Sequence, residues 1–238
     1  MTFLELINDV LIRLREPTVA SNAQNAYSTL IGTFVNDAKR QVEDSFSWNV
    51  LGQTITITTN SGGTEYGIAQ YGANASPLAE YGLSSAPVFS LTGAGQKFQV
   101  QDVINTTSNI ALRNISFVEM NRYQNLVPTT RGIPQYYSFD GVDANGDTKV
   151  VLYPRPDGVY NIPFSLTVPQ AKLAADATSV LVPDFLVVQN AYARALVERG
   201  EDGGLSSSEA YQLYRGMLAD QIALEGTRYP ENQEFVAV

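Results

Sequence analysis

The acidic segment DGVDANGD at residues 140–147 is the part of the sequence that comes closest to a metal-binding loop. Its aspartate and asparagine side chains stand at alternate positions, as the oxygen ligands of calcium loops do. Such a loop also requires a Gly and a Glu at positions where this chain has Thr148 and Pro154. The Asn-Gly within the segment is typical of a tight hairpin turn. We therefore predict a turn here, with no bound metal or other cofactor.

Pairs of carboxylates are the other candidates for chemistry. Glu65 with Glu80, or Asp102 with Glu119, could face each other across a groove and perform glycosidase-like acid and base catalysis, but no spacing singles out either pair. The sequence contains no His and no Cys, so the usual general base, the thiol nucleophile and the commonest zinc ligands are all missing. We therefore predict that the protein is not an enzyme, and a carboxylate glycosidase is the weakest alternative.

The charge balance also excludes a class of function. With 15 Lys and Arg against 24 Asp and Glu, the net charge is −9. Proteins that read duplex DNA neutralise phosphates with clustered Lys and Arg, so we predict no sequence-specific DNA binding, although DNA could pass such a surface without adhering. No apolar stretch approaches the roughly 18 residues of a membrane span, and we expect the chain to stay where it is made.

Helical periodicity appears at both ends of the sequence. A short helix should end at Glu16-Pro17, and a longer one should follow a cap at Ser21 or Asn22 and run to the turn that contains Trp48. A third helix should begin at Pro183-Asp184 and end at Gly203-Gly204. For the last helix, Ser206 and Glu209 form a capping-box pattern. Its predicted buried stripe is Ala210, Leu213, Tyr214, Met217, Leu218 and Ile222.

The middle of the sequence has the periodicity of strands. QTITITT alternates Ile55 and Ile57 with threonines. LYPRPDGVYNIPFSLTV at 152–168 predicts a hairpin, in which a strand at 149–153 meets a strand at 160–168 around an Asp-Gly turn. The other predicted strands are Val88–Leu91, Lys97–Gln101, Asn109–Ser116, Phe117–Tyr123 and Gln135–Phe139.

Two segments have neither periodicity. EYGIAQYGANASPLAEYG repeats Tyr-Gly at Tyr66, Tyr71 and Tyr81, which indicates an exposed loop: either a solvated insertion or a docking loop, since tyrosine gives large contact area at low entropic cost. The final TRYPENQEFVAV has too little apolar surface to order by itself. It is either a disordered tail or an arm that orders on a partner.

Together these patterns predict an α+β fold. The N- and C-terminal helical hairpins would form a four-helix bundle, with an antiparallel β domain inserted between them. The predicted segments are a helical hairpin at 1–50, a β domain at 51–182 with its exposed loop at 61–87, a helical hairpin at 183–227, and an arm at 228–238.

The order of these elements resembles a known family. FLELINDVLIRL, the Trp-containing turn before TITITT, YPRPDGVYNIPFSLTVP and VPDFLVVQNAYARAL together resemble the head-to-tail adaptors of tailed bacteriophages, including the tail tubular protein A group of short-tailed phages. The resemblance implies a virion structural protein, assembled in the host cytoplasm. It would lie in the neck of the particle, in a ring of twelve copies between the portal and the tail nozzle or tube, around the channel through which DNA is ejected.

The resemblance also implies which segments meet the partners. The C-terminal arm would dock on the portal. Its proposed contact residues are Arg228, Tyr229, Pro230, Phe235, Val236 and Val238. The β domain would face the tail, with Tyr66, Tyr71 and Tyr81 as its docking residues. The alternative function is a tail-associated adhesin, a receptor-binding β module that uses the same tyrosines.

Overall fold

The computed structural model describes residues 1–63, 65–68, 98–125, 130–142, 148–200 and 205–227. Within them, helices and mainly antiparallel strands form an α+β fold with two compact units. The helical unit consists of Met1–Leu51 and Lys172–Val238, and the strand unit consists of Gly52–Ala171. The strand unit therefore interrupts the helical unit in sequence.

The first two helices are α1, Phe3–Arg13, and α2, Ala26–Ser45. Each begins with a reciprocal capping box, from Thr2 in α1 and from Asn25 in α2. The Asn25 side chain accepts a hydrogen bond from the Ser28 amide at 2.7 Å, so α2 starts later than the cap predicted at Ser21 or Asn22. The buried face of α1 is apolar. It comprises Phe3, Leu6, Ile7, Val10 and Leu11.

The segment after the strand unit is tied to the start of the chain. The Phe3 amide donates to the Thr178 carbonyl at 2.8 Å, and the Val180 amide donates to the Met1 carbonyl at 3.0 Å. Asn36, a buried residue of α2, accepts from the Leu173 amide at 2.8 Å and donates to the Leu173 carbonyl at 3.1 Å. These bonds explain why the strand unit ends at Ala171, before the boundary expected at 182.

The last two helices are α4, Asp184–Arg199, and α5, Leu205–Gly226. Helix α4 begins where Pro183-Asp184 predicts, but the predicted end at Gly203-Gly204 is wrong because the helix ends at Arg199. Its C-cap is Gly200, whose φ of 61° is left-handed and suits glycine. The predicted cap at Ser206 is wrong, because Leu205 already belongs to α5. In the described part of the helical unit, α4 contacts α1, α2 and α5.

One four-stranded sheet has the order β1, β10, β3, β4. Its strands are β1 Gly52–Thr58, β10 Asn161–Thr167, β3 Gln99–Asn105 and β4 Ile110–Ala111. Strand β1 pairs with β10 antiparallel along its whole length. The alternation predicted for QTITITT is confirmed, since Ile55 and Ile57 are buried and the intervening threonines are exposed.

A second four-stranded sheet has the order β2, β8, β7, β5. Its strands are β2 Glu65–Gly67, β8 Thr148–Tyr153, β7 Tyr136–Val142 and β5 Arg113–Asn114. A separate two-stranded parallel pair joins β6 Arg131–Gly132 to β9 Arg155–Pro156. The two larger sheets share one hydrophobic core, in which the Tyr137 and Phe164 rings meet edge to face at 5.6 Å.

The hairpin predicted at 149–168 is wrong in its pairing. Both strands exist, but β8 pairs with β7 and β2 whereas β10 pairs with β1 and β3. The Asp157-Gly158 turn therefore carries the chain from one sheet to the other. The period-two face of the second strand is confirmed, because Ile162, Phe164, Leu166 and Val168 are all fully buried in the shared core.

The strand predicted at 117–123 is also wrong, because helix α3 occupies Phe117–Asn125. The Ser116 hydroxyl accepts a hydrogen bond from the Glu119 amide at 3.3 Å, which caps the first turn. Only Met120 of this helix is buried, while Phe117 and Val118 are exposed. The apolar residues that imitated a strand are thus largely on the surface.

Asn36 should be worth more to stability than an ordinary helix residue. Asn36→Ala leaves the Leu173 amide and carbonyl buried without partners, and we expect the free energy of unfolding to fall by about 2–4 kcal/mol. Urea unfolding followed by circular dichroism measures this. The matched control is Thr33→Ala, an exposed residue of the same helix, which should change stability by less than about 0.5 kcal/mol. Equal effects of the two variants would contradict a stabilising role for the hydrogen bonds between Asn36 and Leu173.

Candidate interaction surfaces

Tyr66 does not lie on an exposed docking loop. It is in β2, with 6% of its side chain exposed, and it belongs to the core shared by the two sheets. Its hydroxyl lies 3.2 Å from the Asn60 side-chain oxygen. A Cβ added at Gly63 would come within 2.3 Å of that hydroxyl, so a larger residue there would displace the Tyr66 or Asn60 side chain. The expectation of exposure is therefore wrong for Tyr66, because aromatic bulk and a satisfied hydroxyl favour burial at this position.

The other predicted contact residues lie beyond the part of the chain that the structure describes. They are Tyr71 and Tyr81 of the loop, and the arm at 228–238 with Arg228, Tyr229, Pro230, Phe235, Val236 and Val238. Their roles stay predictions.

A stack of three tyrosines lies on the strand unit, and the sequence did not indicate it. The ring of Tyr123, from α3, is nearly parallel to that of Tyr153 with 4.9 Å between centroids, and it also stacks on Tyr136 at 6.2 Å. Tyr136 and Tyr153 are cross-strand partners in β7 and β8. The charge of Glu119, which accepts a hydrogen bond from the Tyr123 hydroxyl, raises the pKa of Tyr123. All three side chains are partly exposed, so this stack is a candidate contact surface.

The carboxylates considered for catalysis have local structural contacts. Glu65 forms an ion pair with Lys149 at 3.6 Å, and Lys149 also pairs with Asp140 at 3.5 Å. The Asp102 side chain accepts a hydrogen bond from the adjacent Val103 amide. Glu80 is among the residues that the structure leaves undescribed. Over the described ranges, the structure contains no cluster of three or more potential metal ligands.

Four arginines of the strand unit contrast with these paired groups. They are Arg113, Arg122, Arg131 and Arg155. Within the described residues, none of them forms an ion pair. Arg113 is the parallel-strand partner of Tyr136, next to the tyrosine stack. As far as the described residues extend, these four arginines therefore leave positive charge uncompensated on the strand unit.

Arg199 at the end of α4 forms several side-chain hydrogen bonds within the chain. Its guanidinium donates to the Tyr27 hydroxyl at 3.0 Å, to the Leu14 carbonyl at 3.3 Å, and to Glu16. These bonds, the Tyr27 hydroxyl first, raise the pKa of Arg199. Arg199, Tyr27 and Glu16 line a cleft of about 600 Å³ that is open to solvent. Because the arginine is already satisfied, we assign it to linking α4 with the segments around α1 and α2.

Helix α5 exposes more apolar surface than its sequence pattern predicts. Of the predicted stripe, Ala210 and Tyr214 are buried, whereas Leu213 is 58% exposed. Leu205 and Leu224 are also exposed, as is Val197 at the end of α4. A helix with apolar side chains outside its packed face is a candidate for contact with another protein chain. No helix among the described residues is long and apolar enough to span a membrane.

Comparison with known proteins identifies the chain at the level of a family. The model of the family described as SU10 adaptor protein matches residues 1–234. A search of curated proteins finds no match.

The burial of Tyr66 can be tested against the idea of a docking loop. Tyr66→Ser should lower the free energy of unfolding by about 3–5 kcal/mol, as loss of a core aromatic does, while Tyr66→Phe should cost only about 1 kcal/mol. Thermal or urea unfolding measures both. Thr56→Ser, at an exposed position of β1, is the control and should be nearly neutral. If Tyr66→Ser lowers the free energy of unfolding by less than about 1 kcal/mol, Tyr66 is not a core residue.

Proposed function

The chain belongs to the SU10 adaptor protein family, a phage head-tail adaptor family, and we propose that it forms a ring joining the portal to the tail. The observation that carries the proposal is the length of the family match, which spans both the helical and the strand unit. In this proposal the protein is a structural component of the virion neck and performs no catalysis.

The helical unit would form the wall of the ring. We infer that α1, α2, α4 and α5 make a four-helix bundle, which is supported by the packing of α4 against each of the other three. The exposed apolar residues of α5 would then be covered by adjacent subunits. We propose twelve copies, as the family resemblance implies. Cyclic, head-to-tail contacts of this kind close into a ring when the rotation between subunits allows it.

The C-terminal arm would bind the portal. Residues 228–238 combine four large apolar side chains with two glutamates and one arginine. Each arm alone would bind weakly, but identical arms around a closed ring act together and raise the effective affinity. On the tail side, we propose that Tyr71 and Tyr81 make the docking contacts, while Tyr66 anchors the base of their segment in the core.

The negative charge suits a channel that conducts DNA. Lys and Arg side chains hold phosphates by releasing counterions, so a conduit rich in them would retain the genome that must pass. The chain carries −9 overall. Residues 52–171 contain eight acidic and six basic side chains, which leaves most of that negative charge to the helical unit.

The location of the protein on the particle is the direct test of this function. Gold labelling of intact virus particles and of particles with sheared tails, viewed by electron microscopy, should show label at the neck in the sheared particles. Label at the distal tail tip would instead favour a receptor-binding adhesin. Absence of label from every particle would contradict a virion role.

Deletion of the arm should separate portal binding from folding. A chain ending at Thr227 should keep its melting temperature within about 2 °C, because the described helices end before the arm, but lose binding to purified portal. Co-sedimentation or surface plasmon resonance measures the binding. The control is the full-length chain with Phe235→Ser and Val236→Ser, which should weaken binding partially. Full portal binding by the truncated chain would refute the arm.

A further inference from the structure

Two arginines are direct neighbours in the small parallel sheet of the strand unit. Arg131 of β6 and Arg155 of β9 are register partners. Partners on adjacent strands project their side chains to the same face of a sheet, so the two guanidinium groups extend from neighbouring positions. Like charges placed opposite each other destabilise a strand pair unless something compensates them.

The described residues supply no compensating acid. The five ion pairs among them involve Lys39, Lys149, Arg199 and the N-terminus, and neither Arg131 nor Arg155. The Nε of Arg155 is also buried without a hydrogen-bond partner. Buried N–H groups of arginine are nearly always bonded, and a charged one costs more to leave unsatisfied than a neutral one. Among the residues that the structure describes, the site therefore has no carboxylate acceptor.

The backbone beneath the two arginines is fixed. The Arg155 amide donates to the Thr130 carbonyl at 3.1 Å, and the Gly62 amide donates to the Pro156 carbonyl at 2.8 Å. Gly62, with φ +81°, runs close beside the pair, since a Cβ added there would lie 3.8 Å from Nη2 of Arg131. Arg131 is exposed and Arg155 is half-buried, so the pair can be reached from solvent although the Nε of Arg155 is buried.

We propose that Arg131 and Arg155 form an oxyanion site that receives a carboxylate from a neighbouring protein subunit. Guanidinium groups bind carboxylates through two parallel N–H···O bonds, and one carboxylate between two arginines compensates the paired positive charge. That the carboxylate belongs to an adjacent virion subunit rests on the proposed adaptor function. The oxyanion site itself rests only on the residues described above.

A protein carboxylate fits this site better than a DNA phosphate. The strand unit as a whole has more acids than bases, so a DNA backbone approaching it would meet net repulsion. Affinity for duplex DNA grows with the number of phosphates neutralised, and two adjacent arginines neutralise few. An acidic side chain needs only this local pair. Other copies of the same acidic chain, as well as the proteins on either side of a ring, can provide one.

Thermal melting of the purified full-length protein tests the site directly, with succinate as the probe. Wild-type protein should melt about 2–4 °C higher in millimolar sodium succinate than in sodium chloride of equal ionic strength, because succinate binds the folded state only. Arg155→Met should lose that response. In chloride, Arg155→Met should melt at the same temperature as wild type or higher, since it removes the like-charge contact and the orphan donor.

The control and the opposing outcomes are equally specific. Arg122→Gln, which removes an exposed arginine of α3 that forms no ion pair with any described residue, should keep the full response to succinate. A fall of several degrees for Arg155→Met in chloride, with no response of wild type to succinate, would overturn the site. A short DNA duplex can be tested by fluorescence anisotropy. If wild type binds it and Arg155→Met does not, the ligand of this site is a phosphate and not a protein carboxylate.

The same measurements separate this inference from the adaptor function. Melting in succinate depends on the folded chain alone and gives its result wherever the protein resides. A succinate response without neck labelling would refute the virion partner and support the oxyanion site. Neck labelling without a succinate response would support the adaptor function and refute the oxyanion site.

Discussion

The helical unit depends on how the chain returns from its insertion. Helices α1 and α2 precede the strand unit, and α4 and α5 follow it, so their shared core exists only if the returning chain reaches the correct place. Main-chain bonds from Phe3 to Thr178 and from Val180 to Met1 fix that return, and Asn36 holds Leu173 through both its amide and its carbonyl. A buried amide that satisfies two backbone groups is costly to replace, which makes the return position specific. Helix α4 can then bury Leu186, Val187 and Val188 among its partners.

Sequence periodicity predicted the elements better than their partners. The alternation of Ile55, Ile57, Ile162 and Phe164 is visible in one strand at a time, because burial of one face of a strand is a local pattern. Pairing is not local: β8 and β10 are adjacent in sequence and belong to different sheets. Helix α3 was predicted as a strand. Its apolar residues are mostly exposed, so neither the helical period of 3.6 nor the strand period of two describes its burial. Likewise, the apolar stripe of α2 gives no sign that Lys39 and Glu43 are buried together as an ion pair at 3.1 Å.

The candidate surfaces were less predictable than the fold. Repeated Tyr-Gly pairs suggested exposure, yet Tyr66 fills the core of the strand unit, since composition cannot distinguish an exposed aromatic from a buried one whose hydroxyl is bonded. The tyrosine stack joins residues from α3, β7 and β8, and the Arg131–Arg155 pair joins two short parallel strands. Both surfaces depend on long-range register. Family resemblance was the stronger guide to function, because the match extends along both units and does not depend on any single site.

The split of the helical unit has a consequence for how the protein is made. Residues 52–171 are contiguous, so all the strand pairs of their two larger sheets are available once that stretch has left the ribosome. Helices α1 and α2 emerge earlier and must wait, with their apolar faces uncovered, until α4 has been synthesised. At translation rates of about 5–20 residues per second, that interval lasts on the order of ten seconds or more. The strand unit can therefore complete its sheets during synthesis, whereas the helical unit can complete its core only after residues 184–199 have been made.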